Sequence, residues 1–250
     1  MKYLILLFAG FSSFLYTYAQ DMSPLLSEAA KLEKDLKEKE ALDVYQSILK
    51  IQPGQIDALC KSAELTARIG DRLKTKEQKS AYFKTAKSFA EKALNQKQNV
   101  AEAYYVMAYT DLKLASVSKA KEKAGYLRDV KFLTDSALLY NPNHAGALYL
   151  LGKWNIETLN LNMAEKAAIK VIFGGMPPAS LEKAIEEFEK SRSANQWMVI
   201  TYLDLAKAYV QNHETGKAID VLKKMVRMPP RTEDDEDLKA EGRALLASLQ

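Results

Sequence analysis

The sequence predicts an all-α fold, an α-α superhelix of stacked helix pairs, and three observations support this. Only 10 of the 250 residues are Gly and 7 are Pro, whereas 48% are apolar and 27% are charged. Apolar residues recur at intervals of three and four, which is the period of an amphipathic helix. The same order of large and small apolar residues returns along the chain, which indicates repeated helical units. This composition excludes a disordered chain and a membrane bundle.

The clearest unit lies near the end of the chain. Its two helices carry one apolar face each, formed by Tyr202, Leu205, Ala206 and Tyr209 and by Ala218, Leu222 and Met225. Pro229-Pro230 ends the second helix. This is the spacing of a tetratricopeptide repeat, in which small residues such as Ala206 and Ala218 let two antiparallel helices approach closely.

We predict a single repeat domain over residues 20–250. It divides into units at about 22–55, 56–98, 99–142, 143–194 and 195–230, with a capping helix at 232–250 that begins near Thr232 and Asp235. The middle three units carry extra residues, at about 70–81, 116–127 and 157–178. The first two stretches are rich in Lys, Glu and Ala and should lengthen helices. The third predicts a helix at Met163 to Phe173, stopped by Gly174-Gly175 and Pro177-Pro178.

The N-terminus has the pattern of a secretory signal peptide. Lys2 precedes an apolar run from Tyr3 to Leu15, and Thr17-Tyr18-Ala19 places small residues before a cleavage point at Gln20. We therefore expect residues 1–19 to be removed and the protein to be exported to the periplasm. An uncleaved anchor is the alternative, but the run is shorter than the about 20 residues of a membrane span. No Cys follows the run, so we expect no lipoprotein anchor.

The only cysteine, Cys60, cannot form an internal disulfide. It lies among Ala58, Leu59 and Ala63 on a predicted helix, where Cys behaves as a small apolar residue. The formal net charge of +4 is a mild excess and does not indicate nucleic acid binding.

The C-terminal half resembles the regulator of microtubule dynamics protein family. The resemblance rests on Leu151-Gly152-Lys153-Trp154, on the insertion that ends in Phe173-Gly174 and Pro177-Pro178, on Ser180 to Ile185 with Phe188, and on Pro229 to Asp235. It is closest over about residues 99–250. The resemblance implies a tetratricopeptide-like superhelix without a catalytic centre. The eukaryotic members of that family associate with the cytoskeleton or with membrane contacts. Because an exported protein would not meet microtubules, the resemblance supports the fold rather than microtubule binding.

We predict no catalytic centre, no cofactor and no metal site, so the protein should not be an enzyme. The two histidines, His144 and His213, fall in separate predicted turns. The sequence contains no G-x-S-x-G motif and no phosphate-binding glycine loop. The dense carboxylates at 186–189 alternate with lysines as on a solvated helix face, and those at 233–237 suit the start of a helix.

Repeat arrays of this kind bind partners on the concave face, which the first helix of each unit lines. Aromatic residues on those helices are candidate contacts, since Tyr and Trp are favoured at binding surfaces. Our candidate partner-binding residues are Tyr105, Tyr109, Tyr149, Trp154, Asn155 and Trp197. Tyr104 and Tyr202 occupy packing positions instead. We expect a protein or peptide partner and a scaffold role.

Two further hypotheses remain. The protein could carry a small apolar ligand or lipid in its groove, with the Met163 to Phe173 helix as a wall or lid. Its lysine-rich middle could instead contact an anionic membrane face. The lysines concerned are Lys74, Lys76, Lys79, Lys84, Lys87, Lys113, Lys119, Lys121 and Lys123.

Overall fold

The computed structural model describes residues 22–250, apart from the side chain of Phe173. The predicted signal peptide at 1–19 lies outside the described residues. Within the described range the chain forms twelve helices. They are α1 (Ser23–Lys34), α2 (Glu38–Ile51), α3 (Ile56–Asp71), α4 (Lys76–Gln96), α5 (Ala101–Val117), α6 (Ala120–Tyr140), α7 (Ala145–Leu159), α8 (Met163–Phe173), α9 (Leu181–Ala194), α10 (Val199–Gln211), α11 (Thr215–Met225) and α12 (Asp235–Ser248).

The helices pack in pairs along the chain. The pairs are α1 with α2, α3 with α4, α5 with α6, α7 with α9, and α10 with α11, and each pair also contacts the next. The last helix, α12, covers α10 and α11. Residues 22–250 contain no strand, so the all-α superhelix that the sequence predicts is confirmed.

The insertions lengthen helices as predicted in the second and third pairs, where α4 and α6 each have 21 residues. The third insertion forms α8, which begins with a capping box between Asn162 and Glu165. It ends at Gly174, whose φ of 71° is the left-handed conformation that glycine adopts easily. Helix α8 lies between α7 and α9 in the sequence but packs against α6. The fourth pair is therefore formed by α7 and α9.

Small residues set the spacing of the pairs. Ala206 and Ala218 are fully buried between α10 and α11. Gly152 plays the same part between α7 and α9, since a Cβ atom there would lie 2.5 Å from a ring carbon of Phe188. Cys60 is buried too, and burial raises the pKa of its thiol. The packing role predicted for these small residues therefore holds.

The segment before the last helix contacts the first two helix pairs of the superhelix. Arg72, just after α3, donates hydrogen bonds to Glu233 and Asp234, just before α12. Glu233 also accepts a hydrogen bond from the backbone of Glu38 at 2.7 Å. The start of α12 differs in detail from the prediction: Asp235 is the first helical residue, and its carboxylate accepts the backbone N–H groups of Arg231 and Thr232.

Candidate functional site: the concave groove

The concave side encloses a cavity of about 1000 Å³, called the groove here. Helices α3, α5, α7 and α10 contribute its walls, and residues from Arg231 to Glu241 contribute the remaining side. The first helices of successive units therefore face one space, as the repeat pattern predicts. The contact of Arg72 with Asp234 lies at the edge of this space, where it joins the two ends of the array.

Two tyrosines of α5 form the aromatic wall of the groove. The ring of Tyr105 lies 6.1 Å from that of Tyr109 and 4.9 Å from that of His144. Burial raises the pKa of both tyrosine hydroxyls, which are therefore protonated at neutral pH. Neither hydroxyl has a hydrogen-bond partner among residues 22–250, so both remain able to bind a ligand.

Two more aromatic residues reach the groove from other helices. Tyr149 on α7 donates a hydrogen bond from its hydroxyl to Asp204 at 2.8 Å, so its polar end is already engaged. Trp197 lies just before α10 and exposes 45% of its surface. The guanidinium of Arg231 stacks over the indole ring at 5.3 Å from its centre. Trp197 is thus the most accessible aromatic residue of the site.

The wall formed by α3 is charged. It presents Lys61, Glu64, Arg68 and Asp71, which follow one another at intervals of three and four and so share a helix face. Arg68 donates to Glu64 at 2.6 Å and to the buried Glu38 at 2.5 Å. Burial by itself would raise the pKa of Glu64, but the positive charges of Lys61 and Arg68 outweigh it and lower that pKa to about 2.

His144 is a helix cap within the site. Its Nδ1 atom accepts the backbone N–H of Ala147 at 3.1 Å, and its Nε2 atom lies 2.9 Å from the carboxylate of Glu102. Since Nδ1 acts as an acceptor, we assign the proton to Nε2, which donates to Glu102. His144, which the sequence places in a turn, therefore caps the start of α7 beside Tyr105.

Four of the six predicted contact residues line the groove, namely Tyr105, Tyr109, Tyr149 and Trp197. Trp154 and Asn155 lie in the core instead. The indole of Trp154 donates to the backbone of Leu127 at 2.8 Å, and the amide of Asn155 bridges Leu151 and Ser180. Trp154 follows Tyr149 by five residues, which corresponds to a rotation of about 140° about the helix axis. Trp154 therefore points to another face of α7 than Tyr149 does.

Helix α8 does not cover the groove. None of its residues lines the cavity, and it packs against α6. The expectation of an α8 lid is therefore wrong: Leu161 and Ile169 draw this segment into a cluster with Leu127 and Trp154, away from the concave face.

The lysine-rich middle is partly engaged inside the protein, because Lys79, Lys87, Lys113 and Lys123 form ion pairs.

Sequence reasoning missed the charged wall and the contribution of the cap. The spacing of Lys61, Glu64, Arg68 and Asp71 on a first helix carried the information, since a polar stripe there must face the concave side. Nothing local indicated that Arg231 would meet Trp197.

Within residues 22–250, no cluster of three or more His, Cys, Asp or Glu could hold a metal ion. No helix in that range has the length and apolar character needed to cross a membrane.

The fold and the groove define a tetratricopeptide-like solenoid with a concave groove. The sequence matches the model of the family described as regulator of microtubule dynamics protein 1-3 over residues 25–250, and the chain belongs to that family. No curated protein matches the sequence.

Solved structures agree on the fold. A tetratricopeptide-repeat protein of Thermus thermophilus superimposes with a TM-score of 0.62 at 17% identity, covering 91% of this chain and all of the other. The PilF protein of Pseudomonas aeruginosa gives a TM-score of 0.52 at 14% identity, covering 91% of this chain and 87% of the other. At these identities the likeness concerns the fold alone.

Proposed function

We propose that the protein is a non-catalytic binding protein whose groove holds a segment of a protein or peptide partner. The observation that carries this proposal is the convergence of Tyr105, Tyr109, Tyr149 and Trp197, from three successive repeat units, on one cavity. Aromatic side chains supply a large contact area at low entropic cost, and they dominate the energetics of many protein interfaces.

The size and chemistry of the groove favour a peptide. Its volume of about 1000 Å³ is at the upper end of the range for small-molecule pockets, so it has room for several residues. The free hydroxyls of Tyr105 and Tyr109 can bond to peptide backbone groups. The charged wall of α3 and the aromatic wall of α5 line the same cavity, and a peptide with both polar and apolar side chains would match these two surfaces.

The same lining disfavours a carrier of a small apolar ligand or lipid. Such a carrier needs an enclosed apolar pocket with few polar groups. Here α3 alone contributes Lys61, Glu64, Arg68 and Asp71 to the wall. Burying an apolar ligand against these groups would remove water from charges without replacing its hydrogen bonds, which is costly.

The proposal includes a compartment. The pattern of residues 1–19 supports export through a cleaved signal peptide, and the periplasm would then be the place where the partner is met. A partner in that compartment would be an envelope or exported protein. The cytoskeletal association of eukaryotic relatives has no counterpart in this proposal.

Site-specific photo-crosslinking tests the groove directly. A photoreactive amino acid would replace Trp197 in the groove or, as a control, Leu139, which is 77% exposed on α6 and does not line the groove. We expect a crosslinked partner from position 197 only. The combined variant Tyr105→Ala and Tyr109→Ala should remove that crosslink, while circular dichroism shows the fold intact.

Native mass spectrometry separates the two ligand classes. The protein purified from its own host should have its bare mass or carry a peptide. A bound species of a few hundred daltons that is lost on denaturation, together with no crosslink from position 197, would contradict the peptide proposal and favour the carrier. Equal crosslinks from positions 197 and 139 would show that the groove is not the binding surface.

A further inference from the structure

Helix α8 has an apolar face that no other part of the described chain covers. Met163, Ala167 and Val171 follow one another at intervals of four and therefore form one stripe along the helix. Met163 is 86% exposed and Val171 is 85% exposed. Ala164 lies beside them and is also exposed. Large apolar side chains this exposed are unusual for a helix already packed against a core.

The opposite face of α8 fixes the helix in place. Ile169 is 4% exposed, and Leu161, just before the helix, is 6% exposed; both pack in a cluster with Leu127 and Trp154. Glu165 forms an ion pair with Lys123 of α6 at 3.1 Å. Because these contacts hold α8 along its length against α6, the stripe of Met163, Ala167 and Val171 is presented outward as a fixed ridge.

Two lysines border the stripe. Lys166 and Lys170 are exposed and lie one residue before Ala167 and Val171, on the edge of the same face. In the part of the chain that the structure describes, neither forms an ion pair with a carboxylate. The outward face of α8 therefore combines apolar side chains with uncompensated positive charge, which is the pattern of helices that lie in the interface of an anionic bilayer.

We propose that α8 docks the protein on the surface of an anionic membrane, with Met163, Ala167 and Val171 inserted among the headgroups and Lys166 and Lys170 on the lipid phosphates. The stripe is exposed on the outward side of α8 and needs no complementary groove, which suits a bilayer surface. A second copy of the chain fits less well, because pairing two such faces would place four lysines close together. The stripe is short, so docking is weak and reversible.

This docking is independent of the groove. Helix α8 packs on α6 and contributes nothing to the cavity, so a membrane-bound molecule would keep its concave face open to a partner. The two surfaces together would hold a bound partner segment close to the bilayer.

Vesicle binding tests the proposal. The chain from Gln20 onward contains the whole described fold and omits the apolar N-terminal run, which would insert by itself. We expect it to sediment with vesicles of phosphatidylglycerol and phosphatidylcholine and to leave pure phosphatidylcholine vesicles in solution. Val171→Glu should abolish sedimentation. Lys166→Ser and Lys170→Ser should each weaken it about fivefold, since one lysine near an anionic surface contributes about that much.

Leu139→Glu is the matched control, because Leu139 is 77% exposed on α6 but lies outside α8. It should leave binding unchanged. A fluorophore that responds to polarity, attached after Met163→Cys, should shift to the blue with anionic vesicles, and the same label after Leu139→Cys should not. The buried Cys60 should stay unlabelled.

Three results would overturn the proposal. One is absence of binding to anionic vesicles at low salt. Another is binding that survives Val171→Glu with the fold intact. The third is a concentration-dependent dimer that Val171→Glu dissociates, which would assign the face of α8 to a second copy of the chain.

Discussion

Arg72 donates a hydrogen bond from its Nε atom to the Oδ1 atom of Asp234 at 2.6 Å, although 162 residues separate them. The same guanidinium also bonds to Glu38, whose side chain is 1% exposed. One side chain therefore joins the first helix pairs to the segment that precedes the capping helix. This contact, together with the hydrogen bonds between Glu38 and Glu233, holds the segment before α12 against the first helix pairs at the edge of the groove.

Arg72→Gln should loosen that closure. It removes one of the two cations that neutralise the buried Glu38, while Arg68 remains, so we expect a loss of about 2 kcal/mol in the free energy of unfolding. Hydrogen exchange should quicken at residues 231–235, and small-angle scattering should show a larger radius of gyration. The control is Lys39→Gln, since Lys39 pairs with Asp43 in solvent and its loss should cost less than about 0.5 kcal/mol. Unchanged exchange at 231–235 would contradict the role given to Arg72.

Glu64→Gln should destabilise the protein at neutral pH. The neighbouring Lys61 and Arg68 lower the pKa of Glu64 to about 2, against 4.5 for a free side chain. A lowered carboxyl pKa adds stability above pH 4.5, and this contribution is lost as the pH falls towards 2. The variant should therefore lose about 3 kcal/mol at pH 7, and its difference from the native chain should shrink below pH 4.5.

Urea denaturation at several pH values measures this difference for Glu64→Gln. Glu40→Gln provides the comparison, because Glu40 is exposed on α2 and its replacement should leave stability nearly unchanged. A deficit of Glu64→Gln that stays constant down to pH 2 would show that lost packing, rather than lost charge, causes the effect.

Asp111→Asn should stabilise the protein at neutral pH, whereas Glu64→Gln should destabilise it. Asp111 is fully buried on α5, and burial raises its pKa to about 6 despite the ion pair with Lys87 at 2.6 Å. Asp129 and Glu91 add to that rise through their negative charge. Between pH 3.8 and 6 the unfolded chain releases this proton before the folded protein does, so stability falls across that window.

The neutral asparagine avoids this cost. Its stability relative to the native chain should rise by about 2–3 kcal/mol from about pH 4 to about pH 6 and then stay level, because the pKa of about 6 already includes the attraction of Lys87. Thermal melts from about pH 4 to about pH 8 would show the trend. Asp43→Asn, at an exposed site on α2, is the control, since replacements at exposed sites change stability little. A constant or negative difference for Asp111→Asn would mean that the ion pair outweighs the cost of burial.

Gly152→Ala should destabilise the contact of α7 with α9. Alanine normally favours a helix interior by about 1 kcal/mol over glycine. Here the new methyl group would lie 2.5 Å from the buried ring of Phe188, so we expect a net loss of about 1–3 kcal/mol. Gly216→Ala is the matched variant, since a Cβ atom at this position on α11 meets nothing within 4 Å. It should be neutral or stabilising, and similar results for both variants would exclude overpacking.

Much of the fold could be predicted because a repeat array is stabilised by contacts between neighbours in sequence. The spacing of Tyr202, Ala206 and Ala218 specifies both the helical faces and the closeness of the pair, so helix positions and pairing follow from local patterns. The aromatic part of the groove was predictable for the same reason, as Tyr105 and Tyr109 lie one turn apart on a first helix. Trp154 was misplaced because an aromatic residue suits the core and a binding surface equally well.

By itself, the sequence determined the class of fold, the helical insertions and four aromatic residues of the groove, because each depends on a period of three to four residues. Only the tertiary structure decided that Arg72 would meet Asp234, that Arg231 would stack on Trp197, and that α8 would lie on α6 rather than over the groove. These contacts depend on the accumulated curvature of the superhelix. Curvature is the sum of small rotations between successive pairs, and no single stretch of sequence encodes it.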